Sequence, residues 1–168
     1  MTGDALAAGR GDTAALERLV RATQADVWRL CAHLGDREAA DDLTQETYVR
    51  AWKALASFRG DSSARTWLLA IARRTVADHI RANRRRRRVA EVAPIDTARP
   101  DETAAVDLSL LIDRLDEDRR IAVYLTQVLG LSYAEAAEVC GCPIGTIRSR
   151  VARGRQELLD ELGEADAQ

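Results

Sequence analysis

A chain of 168 residues that is 46% apolar has enough hydrophobic surface for packed cores, which excludes global disorder. Aromatics are only 4% while alanine, leucine and arginine abound, and because those side chains lose little on entering a helix, an all-α protein is expected. A net charge of −2 neither demands nor excludes nucleic acid; no run of about 18 apolar residues offers a transmembrane helix, and the opening MTGDALAAGRGD lacks a signal peptide's basic start and apolar core, so a cytoplasmic location is expected.

The first helix is predicted after Asp12, a candidate N-cap, with Leu16, Leu19, Val20, Thr23, Val27, Leu30, Cys31 and Leu34 recurring at steps of three and four. Gly35 ends it, where a left-handed cap is easiest for glycine. A second helix follows Asp36, with Ala40, Leu43, Thr47, Tyr48, Ala51, Trp52 and Leu55 facing inward. Ser57 to Ser63 is a break rich in turn and capping residues. A third helix starts near Ser63, carries Trp67, Leu68, Ile71, Ala72, Val76 and Ile80 inward, and is expected to fray in the run Arg84 to Arg88, where like charges repel. Three such helices can enclose a core, giving a first domain over residues 1–88.

Residues 89–107, with Pro94 and Pro100 and no sustained period, read as a flexible linker. Roughly 19 residues at about 3.3 Å each reach about 60 Å, more than the ~34 Å of one duplex turn, so two flanking domains can touch separate sites on one DNA. The second domain, residues 108–168, opens with a helix marked by Leu108, Leu111, Ile112 and Leu115 and another marked by Ile121, Tyr124, Leu125 and Val128, stopped at Gly130. Ser132 with Glu135 three residues on is a capping box. The short helix it starts breaks at Gly141, and Pro143 opens a last helix from about Ile144 to near Leu162.

Charge is spread unevenly. Arginine gathers at Arg73–Arg88 and Arg148–Arg155, acid at Asp36–Glu46, Asp96–Asp118 and after Asp160. Separated patches of opposite sign suit one surface for a polyanion and another for a basic partner, with solvated helix faces the alternative for any single cluster. Cys140 and Cys142 stand as C-G-C without C-x-x-C spacing and Cys31 is alone, so small buried hydrophobes are preferred to a metal or redox centre.

Residues 132–155 have the pattern of a helix-turn-helix. Ala136, Cys140, Ile147 and Val151 supply a shared core, and the second helix presents Thr146, Arg148, Ser149, Arg150, Arg153 and Arg155. Arg148 and Arg155 are close to two turns apart and share a face beside the Ile147–Val151 stripe. Arginine pairs with guanine O6 and N7 or with phosphate, and serine and threonine serve either target. Gly145 and Thr146 let backbone N–H groups approach phosphate. An exposed arginine-rich surface helix is the plainer reading; capping box, glycine turn and basic stripe together favour DNA binding.

Three motifs then carry a family resemblance: Asp42-Leu43-Thr44-Gln45-Glu46-Thr47-Tyr48, the loop Ser57-Phe58-Arg59-Gly60-Asp61-Ser62 running into Thr66-Trp67-Leu68, and Leu131-Ser132-Tyr133-Ala134-Glu135 with Gly141 to Arg150. Over about residues 12–160 the chain resembles the extracytoplasmic-function (ECF, group IV) sigma factors of bacteria, in particular the actinobacterial sigma-C-like type. The resemblance implies two helical domains, sigma regions 2 and 4. It implies that Asp42, Gln45 and Glu46 bind the β′ clamp of core RNA polymerase, and that the second domain rests on the β flap. It implies a −10 element melted and held by Phe58, Arg59, Asp61, Ser62, Arg65, Arg73, Arg74 and Arg81, since an extruded base needs stacking and hydrogen-bonding groups and the freed strand needs positive charge. Many relatives carry Asn where Arg74 stands, so the preferred −10 base is open. Trp67 suits a wedge, though a tryptophan on an apolar stripe is more often core. For the −35 element the resemblance places contacts on Arg148, Ser149 and Arg153, with Arg150 and Arg155 as phosphate partners; spacing alone does not say which arginines read bases. An anti-sigma factor is usual for the family.

No cofactor is implied. His33 and His79 stand far apart with no ligand spacing, and no nucleophile–base set or phosphate-binding loop suggests an enzyme. A stand-alone helix-turn-helix regulator is the competing reading, and it leaves the acidic helix, the aromatic–arginine loop and the linker without a purpose.

Overall fold

The computed structural model describes residues 1–89 and 108–165; the expected linker, apart from Val89, lies outside the described residues. Among the described residues every regular element is helical. Contacts divide the chain into two units, the first holding residues 1–89 and the second the bulk of 108–165.

The first unit opens with a helix the hydrophobic pattern does not announce, α1 (Thr2–Ala8). Its Ala5 and Ala8 are buried, and a Cβ on the following Gly9 would lie 2.7 Å from the Leu55 carbonyl oxygen. Helix α2 (Thr13–Leu34) begins as its sequence dictates, the Asp12 carboxylate accepting from the Ala15 N–H at 2.9 Å. Its buried stripe runs Ala15, Leu19, Thr23, Val27, Leu30, Cys31, Leu34, and it packs on α1, on α3 (Ala40–Leu55) and on α4 (Ala64–Val89). The buried Thr23 hydroxyl donates to the Leu19 carbonyl at 2.7 Å and lies 2.8 Å from the Tyr48 Oη, satisfying both polar groups.

Gly35 follows α2 with φ −95°, which is not the left-handed cap expected of it. Space is the reason for glycine here: a Cβ would come within 2.9 Å of the Cys31 carbonyl oxygen and 3.0 Å of Leu43 Cδ1. On α3 the buried stripe is Ala40, Leu43, Thr47, Ala51 and Leu55. Trp52, expected inside, is 53% exposed, because one residue past Ala51 is about 100° round the helix from the stripe. Helix α4 is capped by Ser63, whose Oγ accepts from the Thr66 N–H at 3.0 Å, and it buries Leu68, Leu69, Ala72, Thr75 and Val76. It does not fray at Arg84; the helix continues to Val89. Arginine is a good helix former, and the Arg86 guanidinium donates to Asn83 Oδ1.

The second unit contains α5 (Leu108–Arg114), α6 (Glu117–Val123), a one-turn π-helical continuation (Tyr124–Val128), α7 (Tyr133–Cys140) and α8 (Ile144–Ala165). Leu111, Ile112, Leu115, Val123 and Leu158 form one core cluster. Asp116 caps α6, accepting from the Arg119 N–H at 3.1 Å. The π turn, with its Leu129 N–H to Tyr124 carbonyl bond of 3.0 Å, has no signature in the residue pattern. Gly130 has φ +68° and stops the element as expected.

The capping box forms in full: the Glu135 N–H donates to Ser132 Oγ at 3.2 Å and the Ser132 N–H to Glu135 Oε2 at 2.9 Å. Ser132→Ala is therefore expected to lower unfolding free energy by about 1 kcal/mol, checked by urea denaturation followed by circular dichroism. Burial pushes the Cys31 thiol pKa up, which disfavours the reactive thiolate. A thiol-exchange reagent such as Ellman's is expected to consume the half-exposed Cys140 and Cys142 first, and Cys31 only after denaturation.

Candidate nucleic-acid and protein interfaces

The turn between α7 and α8 is closed by Gly141 at φ +64°, with the Cys142 N–H donating to the Ala137 carbonyl at 3.1 Å, a Schellman-type end. Pro143 precedes α8, and its carbonyl accepts from the Thr146 N–H at 2.9 Å. Ala136, Ile147 and Val151 are fully buried, which fixes the rotation of α8 about its axis. At 100° per residue, Arg148, Arg155, Ser149 and Arg153 then fall on one exposed face centred on Ala152. Thr146 is half-buried and its carbonyl accepts from Ser149 Oγ at 2.9 Å. Gly145 is exposed, and a Cβ there would meet nothing within 4 Å.

Arg150 departs from the expected set. It lies on the other flank of the Ile147–Val151 stripe, 24% exposed, ion-paired to Asp118 of α6, with its Nη1 3.8 Å from Cys142 Sγ. A second pair, Arg119 with Glu157, ties α6 to α8 on the same side. Ala152 was not singled out from sequence, although a small residue at the centre of a basic face is what lets a backbone approach a groove and suits contact with a thymine methyl.

In the first unit the loop between α3 and α4 divides its residues. Phe58 is 9% exposed, its ring centroid 4.9 Å from that of the half-buried Trp67 at a tilt of 43°. The pair belongs to the core, so Phe58 is not an exposed stacking platform. Arg59 and Asp61 are exposed and pair at 3.2 Å, and Ser62 is half-buried. Arg65 is drawn to Asp26 of α2 at 2.7 Å, the two being 24% and 21% exposed. Arg73 is half-buried, with its Nε enclosed and lacking a hydrogen-bond partner. Arg74 is exposed, and Arg81 is exposed and paired with Asp78. The loop and α4 thus offer Arg59, Asp61, Arg74 and Arg81 to solvent, while Phe58 and Arg65 hold the scaffold.

The acidic helix α3 is also sorted by its buried stripe. Asp42, Gln45, Val49 and Trp52 share one exposed face, polar and apolar together. Glu46 lies at its flank and accepts from Arg50 at 2.8 Å. Arg50 reaches Asp78 of α4 at 2.6 Å, so Glu46, Arg50, Asp78 and Arg81 form a continuous chain of charge. Glu46 and Asp78 push the Arg50 guanidinium pKa up; Arg50 first, then Arg81, holds the Asp78 carboxyl below the usual carboxylate range. The Glu46–Arg50 i,i+4 spacing was the readable signal for this link. Beside Trp52 lies an apolar groove of about 300 Å³, lined among others by Leu16, Val20, Val49 and Trp67.

A helix-turn-helix with an exposed arginine face, carried on one chain with a helix that exposes acids beside apolar side chains, has the features of a DNA-binding protein with a second interaction surface. Residues 19–86 match sigma-70 region 2 and residues 105–158 match sigma-70 region 4. The chain is 54% identical to the ECF RNA polymerase sigma factor SigC of Mycobacterium tuberculosis, over 99% of this chain and 93% of that protein. Two solved structures are similar. The sigma factor RpoE of Bartonella quintana, in complex with the anti-sigma factor NepR, has a TM-score of 0.76 at 29% identity, covering 88% of this chain and 96% of that one. CnrH, in complex with the cytosolic domain of CnrY, has a TM-score of 0.75 at 26% identity, covering 97% of each chain. The chain belongs to the sigma-70 family of RNA polymerase sigma factors, in its extracytoplasmic-function branch. It binds core RNA polymerase and promoter DNA, and directs promoter recognition and transcription initiation. Sigma factors are non-enzymatic regulators.

The Arg150–Asp118 pair holds one arginine of the basic cluster back from solvent. Asp118→Asn is expected to release Arg150 toward phosphate and steepen the log–log salt dependence of non-specific duplex binding by about one unit. An unchanged slope would show that Arg150 is fixed by its packing alone.

Proposed function

We propose a division of labour along the chain. Residues 1–88 bind polymerase and the −10 element, residues 108–168 bind the −35 element, and residues 89–107 span between them. The exposed face of α3, with Asp42 and Gln45 extended by Val49 and Trp52 and flanked by Glu46, docks on the β′ clamp. Acids beside an apolar ridge suit a basic helical partner, and such complementarity sets orientation and encounter rate more than affinity. Arg59, Asp61 and Ser62 hold the −10 strand, with Arg73, Arg74 and Arg81 along its backbone path. On α8, Arg148, Ser149 and Arg153 read the −35 element and Arg155 takes phosphate, while Thr146 shapes the first turn. The second unit rests on the β flap, and an anti-sigma factor, such as the NepR solved with RpoE, competes for the chain. The protein acts without catalysis, in the cytoplasm where polymerase and promoter meet. Among the described residues, no helix is long and apolar enough to cross a membrane.

The observation that carries this reading is the burial of Ile147 and Val151, which leaves a single arginine-bearing face on α8. Run-off transcription with core polymerase tests it. Arg148→Ala is expected to lower transcription from a promoter bearing a −35 element by roughly 5- to 150-fold, the range for one lost bidentate base contact, and to spare a template that lacks the element. Equal loss on both templates would remove Arg148 from base recognition. Tight duplex binding by the free protein, with no transcript from any template, would favour a stand-alone regulator instead.

A further inference from the structure

Helix α1 lies ahead of the region 2 match, which begins at residue 19, yet it is built into the junction between the 57–63 loop and α4. The first N–H groups of α4 have no partner within the helix. Ser63 Oγ satisfies that of Thr66, and the N–H of Ala64 is accepted by Thr2 Oγ1 at 3.2 Å, across 62 positions of sequence. The same threonine lies under the loop's left-handed residue. Gly60 has φ +80°, and a Cβ there would face Thr2 Cγ2 at 3.5 Å and Leu6 Cδ1 at 3.6 Å. One side chain therefore caps the helix with its hydroxyl and floors the loop with its methyl.

The helix that carries Thr2 is itself held. Ala5 and Ala8 are buried, and the Gly9 backbone closes on the Leu55 carbonyl. The Asp4 carboxylate accepts from Arg18 Nε of α2 at 2.8 Å, and Arg18 holds the Asp4 pKa below the usual carboxylate range. The loop is anchored at its ends by buried Phe58 and by Ser63, while Arg59 and Asp61 between them are exposed and pair with each other.

We propose that α1 is a buttress for the −10 loop and that Thr2 is a positioning residue for strand capture, acting through Ala64 and Gly60 without touching DNA. This rests on the reading that the 57–63 loop holds the −10 strand. A loop fixed beforehand binds its strand without the ordering cost that a loose loop incurs at that moment.

Thr2→Val keeps the methyl and removes the acceptor, whereas Thr2→Ser keeps the acceptor. The full chain, assembled with core polymerase, is assayed for affinity toward a fluorescent single-stranded oligonucleotide of the −10 non-template strand, alongside its affinity for core polymerase. Thr2→Val is expected to weaken oligonucleotide binding about fivefold, the scale of one lost capping bond, with polymerase affinity unchanged and with Thr2→Ser restoring most of the loss. Wild-type oligonucleotide affinity in Thr2→Val, or an equal loss of polymerase affinity, overturns the proposal. An Arg59→Ala, Ser62→Ala double variant separates the two ideas. If it binds the oligonucleotide normally, the −10 assignment of the loop fails; if it weakens binding and Thr2→Val does not, the buttress alone fails.

Discussion

Burial of one apolar stripe per helix fixes the rotation of that helix, and with it the direction of every charged side chain it carries. On α8 the stripe is Ile147, Val151 and Leu158; on α3 it is Leu43, Thr47, Ala51 and Leu55. Turning α8 by a single residue position would expose Ile147 and send Arg148 toward the core, at a cost of about 1.5–3 kcal/mol for the isoleucine alone. The surfaces proposed to face DNA and polymerase are thus by-products of hydrophobic burial. No ion pair is needed to aim them.

The ion pairs have a different effect. Arg65 with Asp26 and Arg150 with Asp118 each draw an arginine expected at DNA back onto the protein's own helices. Pairs this exposed contribute roughly 0–1 kcal/mol each, too little to hold the fold. What they change is the count of cations left for a polyanion. A cluster that looks uniformly basic in sequence is divided by the structure into scaffold and surface.

That division explains where sequence was legible and where it was not. Helices α2, α3 and α8 were readable because each carries a sustained stripe and a recognisable start: Asp12 for α2, Asp36 ahead of α3, and Pro143 before α8. The capping box at Ser132 and Glu135 was readable for the same local reason. Helix α1 was not, since TGDALAA has too few large apolar side chains to form a stripe, and its stability comes from Ala5, Ala8 and Gly9 meeting distant backbone. Gly35 was recognised as a stop for the wrong reason, because the closeness of Cys31 and Leu43 is a tertiary fact. Among the site residues, the outward direction of Arg148, Arg153 and Arg155 followed from spacing. The withdrawal of Phe58, Arg65 and Arg150 depended on partners, Trp67, Asp26 and Asp118, that no local pattern links to them.

The linked charges Glu46, Arg50, Asp78 and Arg81 run continuously from α3 to α4. Arg50 is shared between two carboxylates and Asp78 between two guanidinium groups, so a change at either end alters the occupancy of the next link. Position 46 on α3 is thereby linked, through two shared groups, to Arg81 on α4.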